Sequence, residues 1–493
     1  MPFVANFPFF CILITMASGF ISSVLKGKNA YRLNLFAVSA CLIMSLCLLF
    51  FMIANPQQIT YRMGHFPAPW GNEIRFGPLE ALIASVFCFV MLVSLISGKR
   101  DIFDDVSPSK LNLFYIMINL LLSSLLALVY TNDLFTAYVF VEINTLSACA
   151  VVMAKENGKT VSATIRYLIM SLLGSGMFLL SIILIYDLTG HLLMVNIQQS
   201  MTVLMATGKY RLPITIIMGL MAVGMAIKSA LFPFHSWLSQ AHGSATTASS
   251  SILSGLVLKG YIILLIKVFY RVFGLEIVSQ LKVTNVLFVF AIMGMIIGSL
   301  DAIQETHIKR MIAYSSVSQM GYIYAGIGLG TPAGFAAAVF SIIVHAITKP
   351  MLFSAAGGLS DASHHQHHLD QLEGAAYRNP IAGIAFVIGG MSMIGIPFFA
   401  GFATKYFLAG AALQSPNKMW PVLFALAIST VLNAIYYIRA IGIFYHKEGQ
   451  DLTKFKNAKS YVVGMSIFIV ANLALGLFYQ NVVDVIVSGL SLL

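Results

Sequence analysis

An all-α, polytopic membrane fold is predicted by three observations: the composition, the length of the apolar runs, and the ionisable residues stranded inside them. Of 493 residues, 59% are hydrophobic and only 10% charged, with a mean hydropathy of +0.87, which excludes an ordinary soluble domain. Apolar runs of the roughly 20 residues needed to cross a bilayer recur along the whole chain. Glu142, Lys228, Lys259, His345 and Lys405 lie deep in such runs. A charge at the centre of a membrane helix costs about 2.5–3.5 kcal/mol on insertion scales, so groups retained there mark ion pathways.

About fourteen spans are expected, at 3–25, 33–54, 77–98, 111–131, 134–154, 162–186, 211–233, 246–270, 284–301, 311–329, 333–358, 381–411, 420–444 and 460–480. No basic residue precedes the first span, and Lys26 and Lys28 follow it in place of a small-residue cleavage site. It therefore reads as a retained helix and not as a secretory signal. Cys11, Cys41, Cys47, Cys88 and Cys149 lie in apolar spans without a C-x-x-C pair. An iron–sulfur cluster, zinc knuckle or disulfide framework is not expected from them.

The net charge of +11 forms no contiguous basic stripe and implies no nucleic acid; membrane topology accounts for it better. With the N-terminus outside, fifteen Lys and Arg fall in the inner loops, and eight, including Lys267 and Arg271, fall in the outer ones. An even number of spans then places both termini on the outer side of the cytoplasmic membrane. The longest polar stretches are 55–76, 187–211 and 359–380. The last holds four histidines in five positions, His364, His365, His367 and His368. Such a cluster is either a zinc-binding tract or a solvated inner loop, and the loop is the favoured reading.

Glu142 sits about one-third of the way along its span, in the segment Asp133–Asn144. A carboxylate there needs a cation nearby to stay ionised, and Lys228 is the obvious candidate. A Glu/Lys pair whose separation changes gains or loses a proton; one whose separation is fixed only ties two helices together. Pro233 interrupts the helix just after Lys228, and Gly395-Ile396-Pro397 repeats the interruption before Lys405. Paired breaks in two halves point to internal repeats with ion sites near the midplane. Between them lie Lys259 and the pair His345/Lys349, four residues apart and on one helix face. Histidine exchanges protons near neutral pH, which suits a relay between lysine sites.

These residues resemble the antiporter-like membrane subunits of respiratory complex I, of energy-converting hydrogenases and of Mrp-type sodium/proton antiporters. The resemblance covers roughly residues 75–445. Glu142 looks like the family's fifth-helix glutamate, and Arg166, in Ala163-Thr164-Ile165-Arg166-Tyr167, stands at its next-helix basic position. Lys228, Lys259, His345 and Lys405 fall on the lysines and histidine of helices seven, eight, eleven and twelve. The run from Ile308 to Gly321 is also characteristic, while both prolines that flank the Phe-Pro of the seventh helix are missing.

The resemblance implies two inverted five-helix repeats containing broken helices: helices 1–3 over 1–110, the repeats over 111–275 and 276–445, and a last helix over 446–493. It implies proton translocation through Glu142, Lys228, Lys259, His345, Lys349 and Lys405, modulated by Arg166 and His235. Partners are then other membrane subunits, H+ with Na+ as the alternative, and the lipid bilayer, with no cofactor held in this chain. Such a subunit is non-redox and belongs to an oxidoreductase or translocase complex of the complex I or hydrogenase kind. The alternatives are a D-like component of an Mrp-type multisubunit Na+/H+ antiporter and a scaffold whose charges only hold helices together.

Overall fold

The computed structural model describes residues 3–63, 66, 71–447 and 453–493. Two outer helices, α1 (Phe7–Ser22) and α2 (Gly27–Ala54), lead into an antiparallel hairpin of β1 (Ile59–Arg62) and β2 (Glu73–Phe76). Part of the polar stretch 55–76 lies outside the described residues. Next come α3 (Pro78–Ser97), the short α4 (Lys99–Asp105), α5 (Leu111–Tyr130), α6 (Leu134–Met153), α7 (Gly158–Thr189) and α8 (Met194–Ala206).

The seventh predicted span, 211–233, ends early as α9 (Arg211–Lys228), and α10 (Ser236–Ser244) follows beyond it. The eighth is α11 (Thr247–Ile252) and α12 (Leu258–Val268), joined by a π-helical turn at Leu253–Val257 and ended by another at Phe269–Phe273. Then follow α13 (Leu275–Leu281), α14 (Thr284–Gln304), α15 (Ile308–Leu329), α16 (Pro332–Asp361) and α17 (Ala375–Arg378). The chain closes with α18 (Pro380–Ile394), α19 (Ala400–Leu413), α20 (Pro416–Phe444), α21 (Lys459–Leu477) and α22 (Tyr479–Ser491).

Among the described residues, twelve helices are long and apolar enough to cross a membrane. The two other predicted spans are α15, diluted by Lys309, Arg310 and a run of serines, and the region 381–411, broken into α18 and α19.

Burial divides these helices into an inner and an outer set. The most apolar windows of α11–α12 and of α16 are entirely buried, whereas those of α1, α2, α7, α14, α20 and α21 are less than half buried. The outer set presents Phe36, Leu172, Val289 and Phe424 to the surroundings. Lipid supplies no hydrogen bonds, so charged groups persist only where neighbouring helices supply donors and acceptors. The two innermost helices carry Lys259, His345 and Lys349.

Gly255, in the π turn, lets α12 approach α16: a Cβ there would stand 2.5 Å from Pro350 Cγ. The break after Lys228 is complete although the flanking prolines are absent. Ala230 adopts φ +56°, Leu231 N donates back to Ala226 O at 3.0 Å, and Ser229 Oγ meets Tyr324 Oη at 2.6 Å. The freed backbone is thus satisfied locally, so proline is not required to end the helix. The second break follows Ile394, where Gly395 at φ +89° ends α18.

Two charges expected in an outer loop are buried instead. Lys267 and Arg271 are each 1% exposed, because the helix runs on through the second π turn to Phe273. Lys267 Nζ caps the end of α5, donating to the carbonyls of Leu128, Val129 and Thr131 at 3.2, 2.6 and 2.8 Å. Arg271 Nη2 pairs with Glu80 Oε1 of α3 at 2.5 Å and donates to Gln58 Oε1 at 3.1 Å. Lys309, also assigned to a loop, is 4% exposed and donates to Ala245 O at 3.2 Å.

Candidate functional site

Lys228 is the last residue of α9 and is fully buried. Its ammonium donates to Thr145 Oγ1 of α6 at 2.7 Å and lies 5.1 Å from the centre of the Tyr261 ring of α12. Thr145 stands one turn beyond Glu142, whose charge acts on Lys228 without a direct ion pair. Glu142 Oε1 is buried and has no hydrogen-bond partner among the described residues. Hydrogen bonds continue from Thr145 Oγ1 to Tyr261 Oη at 3.2 Å, from Tyr261 to Asn144 Oδ1 at 3.0 Å, and from Asn144 to Ser124 Oγ at 2.9 Å.

Lys259 is fully buried and donates to the Ser254 carbonyl, an acceptor freed in the π turn. Lys349 of α16, equally buried, donates to Ile312 O at 2.9 Å and to Ser315 Oγ, with Tyr437 Oη at 3.5 Å. His345, one turn before Lys349, is 1% exposed, and both of its ring nitrogens lack a partner among the described residues. Lys259, Lys349 and His242 are the ionisable groups that act on it. Lys405 of α19 donates to Ile394 O at 2.5 Å and to Thr430 Oγ1 at 2.8 Å, and lies 5.3 Å from the centre of the Tyr322 ring. The Ile394 carbonyl ends α18, where the helix dipole favours a cation.

The structure therefore groups Glu142 with Lys228, and Lys259 with His345 and Lys349. Lys405 lies beside Tyr322. The two residues assigned a modulating role have other surroundings. Arg166 is on the exposed face of α7, and His235, in the connection between α9 and α10, has Nε2 3.4 Å from Asp301 Oδ2. Sequence reasoning passed over His242 as a site residue. It is fully buried on α10 and stacked on Phe353 at 4.6 Å, with both nitrogens unpartnered among the described residues. Its only signal in the sequence was its closeness to the broken helix.

Three of the four histidines of 364–368 serve as loop ties. His367 Nδ1 lies 2.9 Å from Ser360 Oγ, and His368 Nδ1 lies 3.2 Å from Thr306 Oγ1. His365 Nδ1 lies 3.2 Å from Asp361 Oδ1. Beside them opens a cavity of about 410 Å³ whose lining includes Asp101, Asp105, Lys155, Lys309 and Asp361. Burial, then the charge of Asp361, pushes the Asp101 carboxyl up to about 7, with Lys309 opposing and Asp105 reinforcing.

A carboxyl whose folded value exceeds its unfolded one favours folding while protonated, and that contribution is lost as pH rises towards the folded value. Asp101→Asn is therefore expected to raise the thermal midpoint of the detergent-solubilised protein at pH 8 and to change it little at pH 4. Equal shifts at both values would identify another group as the one titrating.

Fold and site together define a polytopic membrane protein of broken helices, with amines and imidazoles held between its innermost spans. The chain belongs to the NADH:quinone oxidoreductase/Mrp antiporter transmembrane family, whose profile matches residues 131–433. It is 31% identical over 388 residues to NADH-quinone oxidoreductase subunit N of Desulforudis audaxviator, spanning 78% of this chain and 75% of that one. It is 28% identical over 478 residues to the putative antiporter subunit mnhD2 of Staphylococcus epidermidis, covering 95% and 91% of the two chains.

Two solved assemblies share the fold. One is the membrane-bound sulfane sulfur reductase, an archaeal respiratory complex, at a TM-score of 0.88 and 24% identity over 99% of this chain and 97% of that one. The other is the Mrp complex from Dietzia sp. DQ12-45-1b, at 0.88 and 21% over 100% and 97%.

Proposed function

We propose that the chain is the proton-translocating, antiporter-like subunit of a complex I-like or hydrogenase-like membrane assembly. Protons move along Glu142, Lys228, Lys259, His345, Lys349 and Lys405. The observation that carries this reading is the seating of Lys259, His345 and Lys349 on the two helices most completely shielded from lipid. Burial of that depth is expensive for charges and is retained where they titrate as part of a function. Lys228 and Lys405 flank the central group, each against a helix break and under an aromatic ring. That supports two repeats, 111–275 and 276–445, of inverted topology. His242 belongs to the same row on this account, and both termini lie outside the cytoplasmic membrane.

A second reading, a D-like component of an Mrp-type sodium/proton antiporter, is favoured by the near full-length match to the staphylococcal antiporter protein. The two separate on partners and on sodium. The assembly would be purified intact, its subunits identified, and proton movement followed in vesicles with and without Na+. Redox subunits and sodium-independent proton movement are expected. A set of small hydrophobic antiporter subunits with strictly sodium-coupled exchange would transfer the chain to the second reading.

A further inference from the structure

A cavity of about 740 Å³ opens where α2, α4 and α21 begin, and five cations line it: Lys28, Arg32, Lys99, Arg100 and Lys459. Asp104 is the one carboxylate in that lining among the described residues, and it lies 3.3 Å from Arg100 Nε. Lys99 rests 5.2 Å from the centre of the Tyr31 ring. Lys28, Arg32 and Lys459 have no ion-pair partner among the described residues.

Tyr31 lines the same cavity. It is 7% exposed and packs against Phe103 and Tyr115, with ring centres 5.9 and 5.7 Å away. Its hydroxyl makes no hydrogen bond among the described residues. A buried hydroxyl without a partner calls for one. The first turn of α21, Lys459 and Ser460, completes the lining, and N–H groups at that position have no intrahelical acceptor.

Beyond the cavity, both flanking helices turn apolar side chains outward. On α2, Lys28 and Arg32 are one turn apart, and the same face continues through Phe36, Ile43 and Phe50. On α21, the face of Lys459 continues through Val463, Val470 and Leu477. Each of these six side chains is at least half exposed. Both helices are of membrane-spanning length and pack against α3. A cationic cavity at the head of two exposed apolar stripes matches an anionic headgroup that carries acyl chains. A soluble anion or an acidic peptide would leave the stripes unused.

We propose that this cavity binds the phosphate headgroup of an anionic phospholipid whose acyl chains lie along α2 and α21. The ammonium and guanidinium groups and the Tyr31 hydroxyl donate to the phosphate oxygens. Basic pockets between membrane helices recognise such headgroups, and each cation near the anionic surface adds to the affinity. The inference stands whether or not protons move along the buried amines.

The test uses the intact assembly, stripped of lipid in detergent and titrated with phosphatidylglycerol or phosphatidylcholine, with bound lipid counted by native mass spectrometry. Replacing Lys28, Arg32 and Lys459 together by glutamine is expected to weaken phosphatidylglycerol binding about fivefold for each cation, roughly a hundredfold in all. Phosphatidylcholine binding is expected to be unchanged. Tyr31→Phe is expected to cost about fivefold, the scale of one hydrogen bond. Glycerol 1-phosphate is expected not to compete with the lipid.

Equal phosphatidylglycerol binding by the parent and the assembled triple variant would overturn the site. Competition by glycerol 1-phosphate at the lipid's own concentration would overturn the lipid assignment in favour of a free anion. A photoreactive group at Lys459 that captures a partner subunit, with no anionic lipid bound, would overturn it in favour of a protein surface. Should the triple variant fail to assemble, Tyr31→Phe and the preference of the parent between the two lipids decide the proposal.

Discussion

Replacing Lys228 by alanine is expected to leave the complex assembled and to cut its proton translocation by roughly a hundredfold, the usual scale of a lost proton-transfer group. The ammonium is the element that joins α9 to Thr145 of α6 and, through the Tyr261 ring, to α12. Alanine leaves Thr145 with its bond to the Val141 carbonyl at 2.9 Å, so that hydroxyl stays satisfied and the helices have little reason to part. Glu142→Ala is expected to act in the same direction, because it removes the charge that acts on Lys228. Subunit composition checks assembly, and a pH-sensitive dye trapped in vesicles reads the flux. A scaffold predicts the opposite pattern, with assembly impaired and flux per assembled complex unchanged.

Lys405→Arg is expected to preserve assembly and the positive charge while lowering turnover roughly tenfold or more, since guanidinium does not release its proton at accessible pH. The surroundings hold either cation: the Ile394 carbonyl at a helix C-terminus, Thr430 Oγ1 and the face of Tyr322. Any loss therefore reports proton release and not misplacement. Turnover equal to the parent's would mean that Lys405 serves as a fixed charge.

The spans and the lysines were legible because a single ionisable residue in an apolar run of membrane length stands out by cost alone. The two breaks were legible from Pro233 and from Gly395 with Pro397, although α9 ends at Lys228 without the further prolines. Charges near span ends were harder to read. Lys267 and Arg271 looked like loop residues, since nothing local reveals that Glu80 lies 191 positions away in sequence yet in direct contact.

Hydroxyl and amide groups escaped for a related reason. Ser299, Tyr322, Ser429 and Asn433 lie far apart in sequence, and they become a hydrogen-bonded group only when α14, α15 and α20 pack together. His242 offered no signal in the sequence beyond its closeness to the broken helix. Its setting between Phe353 and the central lysines depends on the folded-back α10.

The most direct measurement is driven proton flux into vesicles carrying the intact assembly with Lys228→Ala and Lys349→Ala combined, normalised to the amount of assembled complex. If the buried amines conduct, flux falls to the level of protein-free vesicles while subunit composition is unchanged. Flux at the parent level from the same assembled complex would contradict the account.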